Sequence, residues 1–374
     1  MNAIVRKIAA LNWPLLILVV LLGCFGVYAI YSATWMRDQD FWNRQLVWLL
    51  IGFGLYLVVS MTDYHWIRTG AMPLYIAGLV GLLVTHFFGE EVYGARSWLD
   101  FGFINFQPSQ LAILAAVMVM ALFLSDYESM PPPLRIALCG VIAAAPCVLI
   151  LIQPDLGSAI VWMPVVLAML YAARIPARYL ITMILLGLAT IPLMVNFGLK
   201  PYQRLRIVTF IDPELDPRGA GWTINQSLTA IGSGGWEGKG FKAPNTLNEL
   251  GFLPSTIVHN DFIFAVIGEQ HGFIGGFFLL LSFVFLIGFG LLIALKAEDD
   301  LGRFLAVGLT TLLFTHVFMN IGMTIGVTPI TGLPLPMVSY GGSFLLTVLF
   351  SLGLLQSIWV HRAKGRSRRS DWNF

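Results

Sequence analysis

Charge is the scarcest property of this sequence. Asp, Glu, Lys and Arg make up 11% of its 374 residues, less than half of the ~25% usual in soluble chains. That shortage excludes an ordinary water-covered globular domain. The net charge of +2 points to no class of partner. Cysteine is scarce too: Cys24, Cys139 and Cys147 stand in apolar runs with no CxxC and no metal-ligand spacing. They read as small core residues and give no sign of a disulfide framework or thiol redox chemistry. A phosphate-binding P-loop is also missing. "GSGGWEGKG" has Ser233 where that motif requires Gly, and Gly rather than Ser or Thr after Lys239.

What is abundant is hydrocarbon: 57% of the residues are hydrophobic. Apolar stretches of roughly 17–25 residues recur, each long enough to cross ~30 Å of bilayer as a helix. The fold class is therefore all-α, a polytopic membrane protein treated as a single domain over residues 1–374. Ten spans are expected, at about 13–34, 45–61, 71–88, 109–125, 134–152, 157–173, 179–198, 262–295, 304–325 and 342–360. The run at 262–295 is too long for one straight crossing. Gly268, Gly272, Gly275 and Gly276 within it predict a bend. Arg6 and Lys7 precede a first apolar stretch too long for a signal-peptide core, so an uncleaved first helix is expected.

With both termini inside, the inner segments hold Arg68, Arg135, Arg174, Arg178, Lys296 and Arg303 besides the basic tail, while the short outer loops hold Arg37, Arg44 and Arg96. This bias places both ends in the cytoplasm. The tail at 361–374, with its run "HRAKGRSRR", then acts as an orientation signal in contact with membrane lipids, not as a nucleic-acid site. Residues 199–260 become one long extracytoplasmic loop. In it Ile224, Leu228 and Ile231 recur at helical spacing, as in a helix lying against the membrane surface.

Three acids stand at or near the outer half of the bundle. Asp261 heads the apolar run "HNDFIFAVIGE", after His259 and Asn260. A helix cap and a buried general base both suit its position. Glu269 follows eight residues later, ~12 Å along a helix axis and ~80° around it. It reads as a supporting group that partners another polar side chain or lines a cleft, with Asn260 beside Asp261 in the same supporting class. Asp155, in "QPDLGSA", is a cap or a further cleft acid. Arg96, Arg204, Arg206 and Lys239 supply cations on the same side, and Trp98, Trp222 and Trp236 supply indoles. Together they suit an anionic, sugar-bearing lipid.

The motifs "GARSWLDFGFINFQPSQ", "QPDLGSA", "DPRGAGWTINQSLTAIGSGG", "GKG", "HNDFIFAVIGE" and "NIGMTIGVTPITGLPLPMVSYGGS" occur in an order that resembles the SEDS family, the polytopic proteins of bacterial shape, elongation, division and sporulation. The similarity covers nearly the whole chain. The "AIGSGG…GKG" form and the short tails resemble the family's elongation branch more than its division branch. The resemblance implies a ten-helix peptidoglycan glycosyltransferase that polymerises lipid II at the outer face of the cytoplasmic membrane. It also implies a class B penicillin-binding protein and elongation-complex proteins as partners. Asp261 falls on the family's proposed catalytic acid, Asp155 on the acid of its "QPDLG" motif, and Arg96 and Trp98 on residues of its first outer loop. His259 falls on the His of the catalytic motif, where a substrate contact is expected. A divalent cation, Mg or Mn, at Asp155 is a further expectation, with no organic cofactor. This chain departs from the pattern at Gln110 and Ile113, where the family has Glu and Lys, and at Asn260, where it has Thr. Two other classes remain open: a lipid II transporter, and a non-catalytic scaffold for the cross-linking enzyme.

Overall fold

The computed structural model of the chain describes residues 3–36, 40–92, 95–100, 102, 105–199, 201–217 and 219–362. A short helix α1 (Ala3–Ala9) precedes α2 (Trp13–Thr34), α3 (Phe41–Met61) and α4 (Ile67–Phe88). Strands β1 (Glu90–Val92), β2 (Ala95–Asp100) and β3 (Asn105–Phe106) pair antiparallel in that order. Helices α5 (Pro108–Asp126), α6 (Pro132–Ile152), α7 (Leu156–Ile160), α8 (Trp162–Ala172) and α9 (Ala177–Leu193) follow. The long loop carries α10 (Pro201–Ile211) and α11 (Ala220–Ser233), before α12 (Ile263–Lys296), α13 (Asp300–Thr324) and α14 (Gly342–His361).

Among the described residues, nine helices are long and apolar enough to cross a membrane, and α7 with α8 makes a shorter apolar tenth. The expected all-α polytopic fold is therefore present; the small sheet between α4 and α5 is an addition to it. Helix starts follow the local chemistry. The Asn12 side chain accepts from Leu15 N–H at 3.3 Å, and α5 opens on Pro108, where a missing N–H costs nothing. Helices α5 and α13 form the centre, each with 78% of its apolar window buried, whereas α9 stands at the edge with 6%.

Two polar devices hold the end away from the long loop. Arg135, read from sequence as an orientation charge, is 5% exposed and donates to Leu124 O and Ala173 O at 3.4 Å. It thus meets the negative ends of α5 and α8. His65 lies between two carboxylates, 2.6 Å from Asp63 and 3.0 Å from Asp299, and so ties the α3–α4 turn to the α12–α13 turn.

Helix α12 spans 34 residues, ~51 Å if straight. It is broken at Gly272, with φ 61° and ψ −161°, so the bend expected from its length and glycines is there. The arm before the break is buried at every position from Ile263 to Gln270. In the long loop, α11 turns Ile224, Ser227 and Ala230 inward, while Leu228 is 42% exposed. The buried stripe is offset from the apolar one because α11 packs on α12 and α13. Residues 326–341 have no regular structure but are deeply inserted: Leu335, Met337 and Val338 are at most 1% exposed.

Candidate active site

The segment His259–Asp261 is clamped through its backbone. Tyr340 N–H donates to His259 O at 2.9 Å, the Ser339 hydroxyl to Asn260 O, and Asn320 Nδ2 to Asp261 O at 3.0 Å. Asn320 is fully buried and also donates to Leu333 O at 2.7 Å. The irregular 326–341 segment is in turn anchored by Gln45, which donates to Ser339 O and accepts from Gly341 N–H, both at 3.2 Å. Three successive carbonyls are thus held from two other elements, which sets the direction of the Asp261 side chain.

That side chain is no helix cap. The N-cap of α12 is Phe262, and among the described residues no group donates a hydrogen bond to the Asp261 carboxylate. Half-buried just ahead of α12, the group is pushed up to about 6 by burial, against the pull of the Arg206 charge. A carboxylate with that midpoint is ionised at neutral pH yet basic enough to take a proton.

Asp155 is built differently. It caps α7, accepting from Ser158 N–H at 3.0 Å and from the Ser158 hydroxyl at 2.7 Å. Gln107 Nε2 adds a donor at 3.3 Å. Burial raises its carboxyl, while Ser158, Gln107 and Arg206 act the other way. A Cβ on Gly157 would meet Thr331 O at 2.3 Å, and one on Gly332 would stand 3.6 Å from Asp261 Oδ2. The Thr331–Gly332 segment therefore runs from beside Gly157, two residues after Asp155, to beside Asp261. The charge of Arg206 reaches both of them. Its helix, α10, is tied to the same place by Gln203 Nε2, which donates to Pro154 O at 3.1 Å.

The arrangement combines one uncapped acid, one capped acid and one guanidinium that the long loop contributes from α10. Residues 12–364 match the profile of the cell cycle proteins FtsW, RodA and SpoVE. The chain belongs to this family, the SEDS proteins. It is 39% identical to the peptidoglycan glycosyltransferase MrdB of Escherichia coli, over 93% of each chain. It is 31% identical to RodA of Treponema pallidum, over 95% of this chain and 98% of that one. RodA of Thermus thermophilus has the same architecture at 28% identity, with a TM-score of 0.72 over 94% of this chain and 97% of that one. A chain of a solved peptidoglycan synthase complex, 30% identical, gives 0.81 over 94% and 98%.

Several sequence expectations for this SEDS protein change on contact with the structure. Lys239, expected at a phosphate, makes an ion pair with Glu269 at 2.7 Å, since Glu269 is fully buried and needs a counter-charge. His259, expected at the substrate, is 4% exposed and stacks on Phe41 at 4.2 Å. Arg204 is exposed and Arg206 half-buried, as two positions apart on one helix dictates. Trp98 is half-buried on β2; the Arg96 side chain and the tail beyond Arg362 lie outside the described residues. A divalent cation does not fit Asp155. Its oxygens are engaged by Ser158 and Gln107, and among the described residues no group of three or more His, Cys, Asp or Glu could hold a metal ion.

Asn320 and Gln107 are site residues that the sequence pattern does not single out. Gln107 had a signal: "QPS" at 107–109 echoes "QPD" at 153–155, and the fold joins the two. Asn320, polar within the apolar run of α13, carried a weaker one. Asn320→Leu is expected to destabilise the protein by about 1–3 kcal/mol for each buried carbonyl left without a donor. Thermal denaturation in detergent measures this; an unchanged melting curve would show that Asn320 does not clamp the segment.

Proposed function

We propose that this chain is a peptidoglycan glycosyltransferase, polymerising lipid II at the outer face of the cytoplasmic membrane with a class B penicillin-binding protein as partner. The observation that carries this reading is Asp261: a carboxylate with fixed direction, no hydrogen-bond donor among the described residues, a midpoint raised to about 6 and a guanidinium nearby. The names of its relatives, peptidoglycan glycosyltransferases of two bacteria, and its likeness to a chain of a peptidoglycan synthase complex support the same reaction and the same kind of partner. The basic residues at the end opposite the long loop support a cytoplasmic position for that end.

In this reaction Asp261 takes the proton of the acceptor sugar's 4-hydroxyl as its oxygen attacks the anomeric carbon of the donor MurNAc. The C–O bond to undecaprenyl pyrophosphate breaks from the opposite side, inverting the anomeric centre. Arg206 stands where charge develops on the leaving pyrophosphate. A pyrophosphate leaves without a strong acid, so one base and one cation suffice. Asp155, held by its cap, shapes the acceptor side; Arg96 and Trp98 on β2 are the candidates for further sugar and phosphate contacts.

The test is reconstitution of the purified protein, with its partner, in liposomes holding labelled lipid II. Glycan polymer is the expected product. Lipid II crossing the bilayer without polymer would make the protein a transporter, and neither event would leave the scaffold.

A further inference from the structure

The glycine-rich stretch that fails as a P-loop has another role. In an unbroken helix, the N–H groups of Phe273 and Ile274 would donate to Glu269 O and Gln270 O. Here they donate to Gly235 O at 2.8 Å and Trp236 O at 3.1 Å. The two carbonyls so released accept from Lys239 N–H and Gly240 N–H, both at 2.9 Å. Two helical hydrogen bonds are exchanged for four bonds to the segment Gly235–Gly240, which is spliced into the break of α12. The fit needs bare backbone: a Cβ on Gly272 would lie 2.4 Å from Gly238 N, and one on Gly238 would lie 2.2 Å from Gln270 O. Both residues have positive φ, 61° and 82°, which glycine adopts without strain.

Side chains lock the splice. Glu269 Oε1 accepts from Lys239 Nζ and from Leu247 N–H, each at 2.7 Å. The next two residues grip α2: Gln270 accepts from the Ser32 hydroxyl, and His271 Nε2 lies 2.9 Å from Tyr28 OH. Upstream of this knot runs the fully buried arm Ile263–Gln270, with Asp261 at its head. The arm is thus held at both ends, by the carbonyl clamps at 259–261 and by the splice at 269–274. Because the four backbone bonds already satisfy the break, the ion pair is not needed to pair those groups; it is an additional tie between the inserted segment and the arm.

We propose that Lys239 and Glu269 are positioning residues, which lock the Gly235–Gly240 segment into α12 and so hold the Asp261 arm at the depth and angle that glycosyl transfer requires. The proposal rests on the reading of Asp261 as the base.

The test compares wild type, Glu269→Gln, Lys239→Met and Lys239→Arg in the purified complex, by polymerisation kinetics over pH and by hydrogen–deuterium exchange over residues 263–274. Both charge-removing variants are expected to lose roughly 10–10²-fold in kcat with KM for lipid II unchanged. Their acid-limb midpoint should fall towards the ordinary carboxylate range as water reaches Asp261. Lys239→Arg, which keeps the charge, should recover at least part of the rate. Wild-type kinetics in Glu269→Gln and Lys239→Met would overturn the proposal. So would a rate lost only in proportion to folded protein with the midpoint unmoved, which is what a merely structural pair predicts. Faster exchange at 263–274 in Lys239→Met is expected whether or not polymer forms, and unchanged exchange overturns the lock on its own. A wild type without polymer would instead overturn the catalytic reading, and the positioning role with it.

Discussion

Asp261→Asn is expected to lower glycan polymerisation roughly 10²–10⁴-fold, the usual contribution of a general base, while raising the melting temperature at pH 7. The two effects have one cause. Burial raises the carboxyl from 3.8 to about 6, so the folded protein binds this proton more tightly than the unfolded chain does. Stability from this group is therefore fully present below the unfolded value, near pH 4, and is lost as pH rises through about 6. At neutral pH the protein holds a charge that burial disfavours, and the amide removes that penalty together with the base. The wild-type rate should fall as pH drops through about 6, because only the ionised form accepts the proton. Polymerisation from purified lipid II, run beside thermal denaturation, reads both. A variant that polymerises normally would return Asp261 to the structural residues.

Arg206→Gln should have the next largest effect, about 10²–10³ in kcat if the guanidinium meets the departing pyrophosphate. A second signature separates this from simple damage. Arg206 pulls the Asp261 carboxyl down against burial, so its removal should move the acid limb of the rate profile upward. Raising the pH then recovers the part of the loss due to protonation but not the part due to the leaving group. Arg204→Gln, at an exposed position, should stay close to wild type, as surface substitutions do. Equal losses from both arginines, with no shift of the limb, would point to general attraction of an anionic lipid and not to a placed cation.

Asp155 and Asp261 show how far local reading reaches. Both stand at the start of an apolar run, one after Pro154 and one after Asn260, and helix capping explains either. The structure assigns the cap to Asp155 alone. The deciding contacts come from Ser339, Tyr340 and Asn320, which are distant in sequence from Asp261, so no local pattern could announce them. Lys239 is a similar case. As a cation in an outer loop it suits a phosphate, but a buried Glu269 claims it because an unpaired charge in that place is costly.

What the sequence determined by itself was the polytopic helical frame: recurrent apolar runs long enough to cross a bilayer, the bend in the 262–295 run, and a family signature spread over nearly the whole chain. These were legible because a spanning segment must satisfy its own backbone and carry its own apolar surface, so length and composition report it locally. Only the tertiary structure decided which acid is capped, which arginine reaches the acids, and that a glycine-rich loop enters a broken helix. Those choices depend on hydrogen bonds exchanged between segments far apart in the chain, where burial makes each polar group take whichever partner packing brings within reach.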